Sequence, residues 1–338
     1  MPNPVRTLAG QFVRRSPMTL LIFGILLSSI DFLTLYAAAA REGVLYINGG
    51  VGLLNNYGLL STVLGNIVFL YLAKKYYDGV CSMRDSKAIL DAAPVEETLS
   101  ALKYQIELKR EHQFGLYLMI IIGTFFWAKN VSLHLSEDPV VTWGHKVFDS
   151  IDHPLSFTAS RLHNFYTWMC IGPFLAHVMI YSSLQLRWAI RKAARKGALA
   201  YDLLNPDRRG GFAFVDKAVA AFNVVVVIVY IQITLHIETF KMNSDHVVDY
   251  IVLTLVLVLI NRMFLSNTYA VIRMLRLEAL NEVKEKVYKN DKMSFEILKY
   301  CYERRVSVAS LVNFAINPGA IVISSVLKLW PVIAKAFS

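Results

Sequence analysis

The chain has 338 residues, of which 55% are hydrophobic and only 18% charged. Its mean hydropathy of +0.44 leaves too little polar surface for a soluble domain of this length, so the composition places it in a membrane class. The formal charge of +10 does not point to nucleic acid, because the basic residues flank apolar runs, as they do on the cytoplasmic face of a membrane protein.

The first apolar run, 18–40, follows Arg14 and Arg15 and ends in four alanines, Ala37 to Ala40. It is too long for a secretory leader and carries Asp31, so it reads as an uncleaved first span. Five further stretches reach the length of about 20 apolar residues that a span needs: 51–73, 114–135, 164–186, 213–237 and 248–268. Lysine and arginine alternate along this series. The N-terminal segment, the loops 74–113 and 187–212 and the tail after Thr268 hold 28 basic residues, while the three intervening loops hold four. The expectation is an all-α, six-span protein with both termini cytoplasmic, in a bacterial inner membrane. Residues 1–268 form its transmembrane domain and 269–338 a cytoplasmic tail.

Within the second loop, Val95 to His112 is helix-rich in character and Pro94 suits a helix start, which extends the third span into the cytoplasm. Gly172-Pro173 interrupts the hydrogen bonding of the fourth span. In the tail, Tyr269 to Asn290 and Met293 to Phe314 read as two amphipathic helices. Ala320 to Phe337 is too short to span and carries Lys328 and Lys335, so it reads as an interfacial segment with snorkelling lysines.

Polar side chains inside spans are costly and mark candidate sites. Asp31 lies 13 residues into the first span and Lys129 15 residues into the third, both counted from the cytoplasm, so they reach similar depth and form a candidate ion pair. Nearer the cytoplasm, Asn66, His177, Asn223 and Asn261, with Arg262 beside the last, fall at roughly one level. They either line a shared water-filled cavity or bond helix to helix.

His163 and His177 are fourteen residues apart, close to four helical turns, so both rings face the same way about 21 Å apart. That span resembles the haem-bearing helix of membrane b-type cytochrome subunits, such as those of nickel–iron hydrogenases and formate dehydrogenases. The resemblance implies haem b with His163 and His177 as axial ligands. His134 and His236, near outer span ends, are the available partners for His163, and no span supplies one for His177.

The loop Asn205-Pro206-Asp207-Arg208-Arg209-Gly210-Gly211 combines a turn, positive-φ glycines and basic residues just before a helix start. That pattern suits a tight turn or a site for an anion, with anionic lipid headgroups as the ligand at hand. It resembles a His/Asn-Pro-Asp-x-x-Gly-Gly loop of some bacterial polytopic membrane proteins without an assigned activity. The histidines have no metal-type spacing, the three cysteines are scattered, and there is no Walker loop, Gly-x-Ser-x-Gly, His-Glu-x-x-His or Cys-x-x-Cys. Three functions remain open at this level. One is a homo-oligomeric channel-like or pore-forming assembly, triggered from the cytoplasm. The second is a haem-b electron carrier. The third is a sensor or scaffold that works through its cytoplasmic helices.

Overall fold

The computed structural model describes residues 10–47, 50–107, 152–207, 209–240, 268–289 and 292–303, with isolated positions between 117 and 147. Side chains of 233, 236–240 and 300–303 fall outside that description. Of the described residues, 80% are helical. Among the described residues, four helices are long and apolar enough to cross a membrane: Pro17–Arg41, Tyr57–Asp85, Pro154–Arg195 and Ala213–Gln232. The expected spans 114–135 and 248–268 lie almost wholly outside the described residues, although Tyr117, Ile120, Ile121, Gly123, Thr124 and Ala128 are helical.

Helix α1 (Pro17–Arg41) starts where the Ser16 hydroxyl accepts the Thr19 N–H at 3.2 Å. Leu20, Gly24, Ser28, Leu35 and Ala39 form its buried stripe. Ile22, Phe23, Ile25, Leu26, Ile30 and Leu33 stand exposed on the remaining surface, which suits lipid contact and no aqueous one. Gly24 sits so close to the Ile67 carbonyl that any Cβ would collide with it. Helix α2 (Tyr57–Cys81) is the centre of the bundle and packs against α1 and both later spans.

The second span was expected at 51–73, but its helix begins six residues later. Residues 50–55 are tied into a turn by Asn55, which accepts the Gly52 N–H at 2.6 Å and donates to the Gly50 carbonyl at 3.0 Å. Asn56 then caps the helix through the Leu59 N–H at 2.9 Å. At the other end the helix runs past Lys74, which is buried and ion-paired with Asp78 one turn on.

Helix α3 (Ala93–Ile106) begins at Pro94 as its sequence predicts. It lies antiparallel to helix α5 (Gly172–Arg195), since Glu97 pairs with Lys192 and Gln105 with Gln185. Helix α4 (Pro154–Phe165) runs through a π-helical stretch, Tyr166–Ile171, straight into α5. This rod of 42 residues is about 63 Å long, twice the hydrocarbon thickness, so it extends beyond the expected span 164–186 at both ends. Its last turns carry Arg187, Arg191, Lys192 and Arg195 and define a basic end of the bundle.

Helix α6 (Ala213–Phe240) packs along α2, with Gly79 in backbone contact with Ala218. Helices α7 (268–288) and α8 (Lys292–Glu303) match the expected tail helices where they are described. At the basic end, residues 86–90 and 198–200 join in a short antiparallel bridge, with Ala200 N–H to the Ala88 carbonyl and Leu90 N–H to the Ala198 carbonyl, both at 2.9 Å. The two-residue parallel pairing of Gly50–Val51 with Lys146–Val147 leaves the fold all-α in character.

Candidate functional site

His163, on α4, is only 1% exposed and touches two other spans. Its Nδ1 lies 2.6 Å from Asp31 Oδ2 on α1, and its Nε2 lies 2.7 Å from Thr62 Oγ1 on α2. One turn further along both helices, the Asn66 amide donates to Thr167 Oγ1 at 2.9 Å. The two contacts share one sequence offset, so α2 and α4 run in the same direction and the i, i+4 pairs Thr62/Asn66 and His163/Thr167 face each other. Asp31 enters from the antiparallel α1.

Local geometry explains how three helices come this close. Gly24 lets α1 lie on the Ile67 carbonyl, next to Asn66. Gly65 leaves room for the Gln232 amide of α6, which donates to the Ser61 carbonyl at 3.0 Å. Gly123 approaches the Trp168 carbonyl in the same way. The π turn begins at Tyr166, three residues after His163, and ends at Ile171, just before Gly172-Pro173. Proline cannot donate to the preceding turn and its ring needs room there, which the wider π geometry supplies. The extra residue in that turn also re-aims Thr167 relative to α5.

This node joins acid, base and hydroxyl groups from three helices. It combines a carboxylate, an imidazole engaged at both nitrogens, and a hydroxyl that also reaches the Leu59 carbonyl at 2.7 Å. Two of its buried atoms, Asn66 Oδ1 and Tyr166 Oη, have no hydrogen-bond partner among the described residues. It does not suit a haem iron. An axial histidine needs one open ring nitrogen, and His163 has none. His134 and the side chain of His236 lie outside the described residues. Among the described residues, no three His, Cys, Asp or Glu side chains converge as a metal site.

The partner expected for Asp31 was Lys129, which lies outside the described residues; among the described residues the carboxylate is held by His163. The single polar level expected for Asn66, His177, Asn223 and Asn261 divides. Asn66 belongs with His163 and Thr167. His177, equally buried, lies ten residues beyond Thr167 and donates Nε2–H to the Gln105 carbonyl at 3.1 Å, with its ring 4.7 Å from that of Tyr181. It fastens the end of α3 to α5, and Gln185 adds a bond to Gln105 at 3.0 Å. Asn223 is buried on α6, while Asn261 and Arg262 lie outside the described residues. Thr62, Thr167 and Gln105 were missed. The repeated i, i+4 spacing of Thr62/Asn66 and His163/Thr167 was the available signal for the first two.

The Asn205–Gly211 loop supplies its own anion. Asp207 Oδ1 accepts the N–H groups of Arg209 at 2.7 Å and Gly211 at 3.1 Å, and its Oδ2 accepts that of Ala213 at 3.3 Å. Of these, the Ala213 N–H opens α6, and those of Arg209 and Gly211 lie in the loop just before it. Arg209 is paired with Asp216 at 2.6 Å, and Asn205 accepts the Asp207 N–H at 3.1 Å. In the loop expected to hold lipid phosphate, these N–H groups are thus bonded to the chain's own carboxylate, and Arg208 lies outside the described residues. Gly210 and Gly211 adopt φ of 65° and 93°. Gly211 also lies against the Ala88 backbone, and its carbonyl accepts Ser86 Oγ at 2.5 Å. The loop is thus a structural joint between 82–90 and α6.

The chain matches no known family model, no characterised protein and no solved structure.

Proposed function

We propose that this chain is a channel-like membrane protein that passes ions through a homo-oligomeric assembly in a bacterial inner membrane. In this reading the spans 114–135 and 248–268 complete a six-helix domain, both termini are cytoplasmic, and the basic end faces the cytoplasm and its anionic lipid headgroups. Residues 269–338 then form a cytoplasmic tail.

The observation that carries the reading is the Asp31–His163–Thr62 chain, centred on the buried His163 and half-buried at its two ends, between three helices. Leucines in those places would pack α1, α2 and α4 at lower cost. Ionisable groups inside spans are rare and costly, and they mark pathways for ions and protons. The paired carboxylate also lowers the cost of holding the imidazole there.

The test is flux from liposomes that contain purified protein, read with a potassium-sensitive and a pH-sensitive dye under an imposed potential. Ion flux well above that of empty vesicles is expected, together with its loss in Asp31→Asn. Vesicles that hold folded protein yet stay as tight as empty ones between about pH 5 and pH 8 would overturn the reading.

A further inference from the structure

We infer that the ion held at the three-helix node is a proton, and that Thr62 is the switch that lets His163 take it up without moving a heavy atom. The inference rests on the ion-passing reading only for its role in flux, and the hydrogen bonding stands apart from that reading.

The Thr62 hydroxyl has one hydrogen and two acceptors in reach. The Leu59 carbonyl lies at 2.7 Å, one helical turn back, and His163 Nε2 lies at 2.7 Å across the interface. With Asp31 accepting Nδ1–H, neutral His163 has a lone pair on Nε2, and the Thr62 O–H turns towards it. When a proton binds Nε2, the direction reverses. Nε2–H now donates to Thr62 Oγ1, and the hydroxyl hydrogen swings to the Leu59 carbonyl. In both states every polar atom of the chain from Asp31 to Leu59 is satisfied. A buried polar group left without a partner is costly, so a node with two satisfied protonation states is set apart from one with a single state. His177 is of the second kind. Its Nε2 faces a carbonyl, which only accepts, and its Nδ1 has no partner among the described residues.

Among the described residues, the charged surroundings are few. Asp31 comes from α1, and α2 presents only the neutral Thr62 and Asn66. On the rod itself Tyr166 lies one turn on, and the Arg161 guanidinium rests 5.2 Å over the Phe157 ring. With one carboxylate opposite the imidazole, proton uptake turns a net anionic site into a neutral ion pair, which a low-dielectric interior favours over a bare cation. A metal ion on His163 would have to break one of the two hydrogen bonds its ring nitrogens make, and a hard cation prefers oxygen ligands to imidazole.

The experiment is a pH titration of protein labelled with nitrogen-15 at histidine, in lipid bilayers, with the His163 signal assigned by its loss in His163→Gln. Neutral and imidazolium forms of His163 are expected to interconvert. Thr62→Ser keeps the hydroxyl and should keep the midpoint. Thr62→Val removes the acceptor of Nε2–H and should lower the midpoint by about one pH unit or more, a tenfold loss in proton affinity. If Thr62→Val does not fold, Thr62→Ala carries the same expectation. His163 fixed in one form throughout, or a midpoint unchanged when the hydroxyl is removed, overturns the inference. Liposomes that pass potassium and no protons overturn it too, while leaving the channel reading in place. Thr62-dependent titration in vesicles that pass no ion sustains the proton site and removes the channel.

Discussion

His163 and His177 lie on one continuous rod, fourteen residues apart, and both are 1% exposed. By composition and burial they are equivalent. Their partners make them different. His163 meets an acid on one side and a hydroxyl on the other, each from a different helix. His177 meets a backbone carbonyl at the end of α3 and one aromatic ring. The lesson is that burial alone assigns no role to a histidine. A carboxylate paired with a hydroxyl that donates or accepts can serve both protonation states, while a carbonyl can serve only a donor.

The largest expected effect breaks the contrast at its acid. Asp31→Leu leaves the Nδ1–H of His163 buried without a partner, and the cost is about 3 kcal/mol in detergent unfolding. The double variant Asp31→Leu with His163→Leu should recover much of that loss, because the uncompensated group is gone. Strictly additive losses would show that the two side chains do not depend on each other.

Gly24→Val tests whether close helix packing holds the node together. Its side chain must displace the Ile67 carbonyl, about two turns from Asp31, and the expected cost is about 2 kcal/mol. The same variant should weaken the Asp31–His163 contact, read as a change in the His163 nitrogen signals. A stability loss with those signals unaltered would separate packing from the node.

His177→Leu should cost only about 1 kcal/mol, the scale of one interhelical bond in a membrane, and should leave ion flux unchanged. A flux that changes as much as in Asp31→Asn would erase the distinction between the two histidines.

The smallest effect is at the end of the same rod opposite the basic one. Glu42, just beyond α1, accepts the N–H groups of Leu155 at 2.7 Å and Ser156 at 2.8 Å at the start of α4. Partial burial raises its pKa, but hydrogen bonds from Ser156 and Leu155 and the nearby His153 outweigh that, and the net direction is down. The folded form therefore holds its proton less tightly than the unfolded chain. The stabilisation is present above the usual glutamate range and fades as pH falls through it to the lowered folded value. Glu42→Gln should remove this acid-side slope at a cost below about 1 kcal/mol, since the carboxylate is solvent-screened. An identical acid-side slope in the variant would assign it elsewhere.

The all-helical membrane character was legible in the sequence, as were the run now seen as α1, the start of α3 at Pro94 and the start of α6. These depend on local matters: apolar length, a proline in a first turn, and a glycine pair before a helix. The extent of α2 and of the long rod was less legible. Asn56 as a cap and the buried Lys74–Asp78 pair move the ends of α2, and neither shows in a hydropathy window. Depth along a span could be counted from the sequence, and it marked Asp31, Asn66 and His177 as costly residues, while His163, just outside the expected fourth span, stood out only by its spacing from His177. It could not say which of them meet. Rotation about each helix axis and the sliding of one helix along another are decided by close contacts such as Gly24 on Ile67 and by the π turn at Tyr166–Ile171. Those contacts brought Asp31 and Thr62 to His163 and left His177 to α3. Likewise the basic, glycine-rich loop advertised an anion site, and only the folded chain turned its own Asp207 into the anion, because four hydrogen-bonding groups within nine residues close on themselves before any ligand arrives.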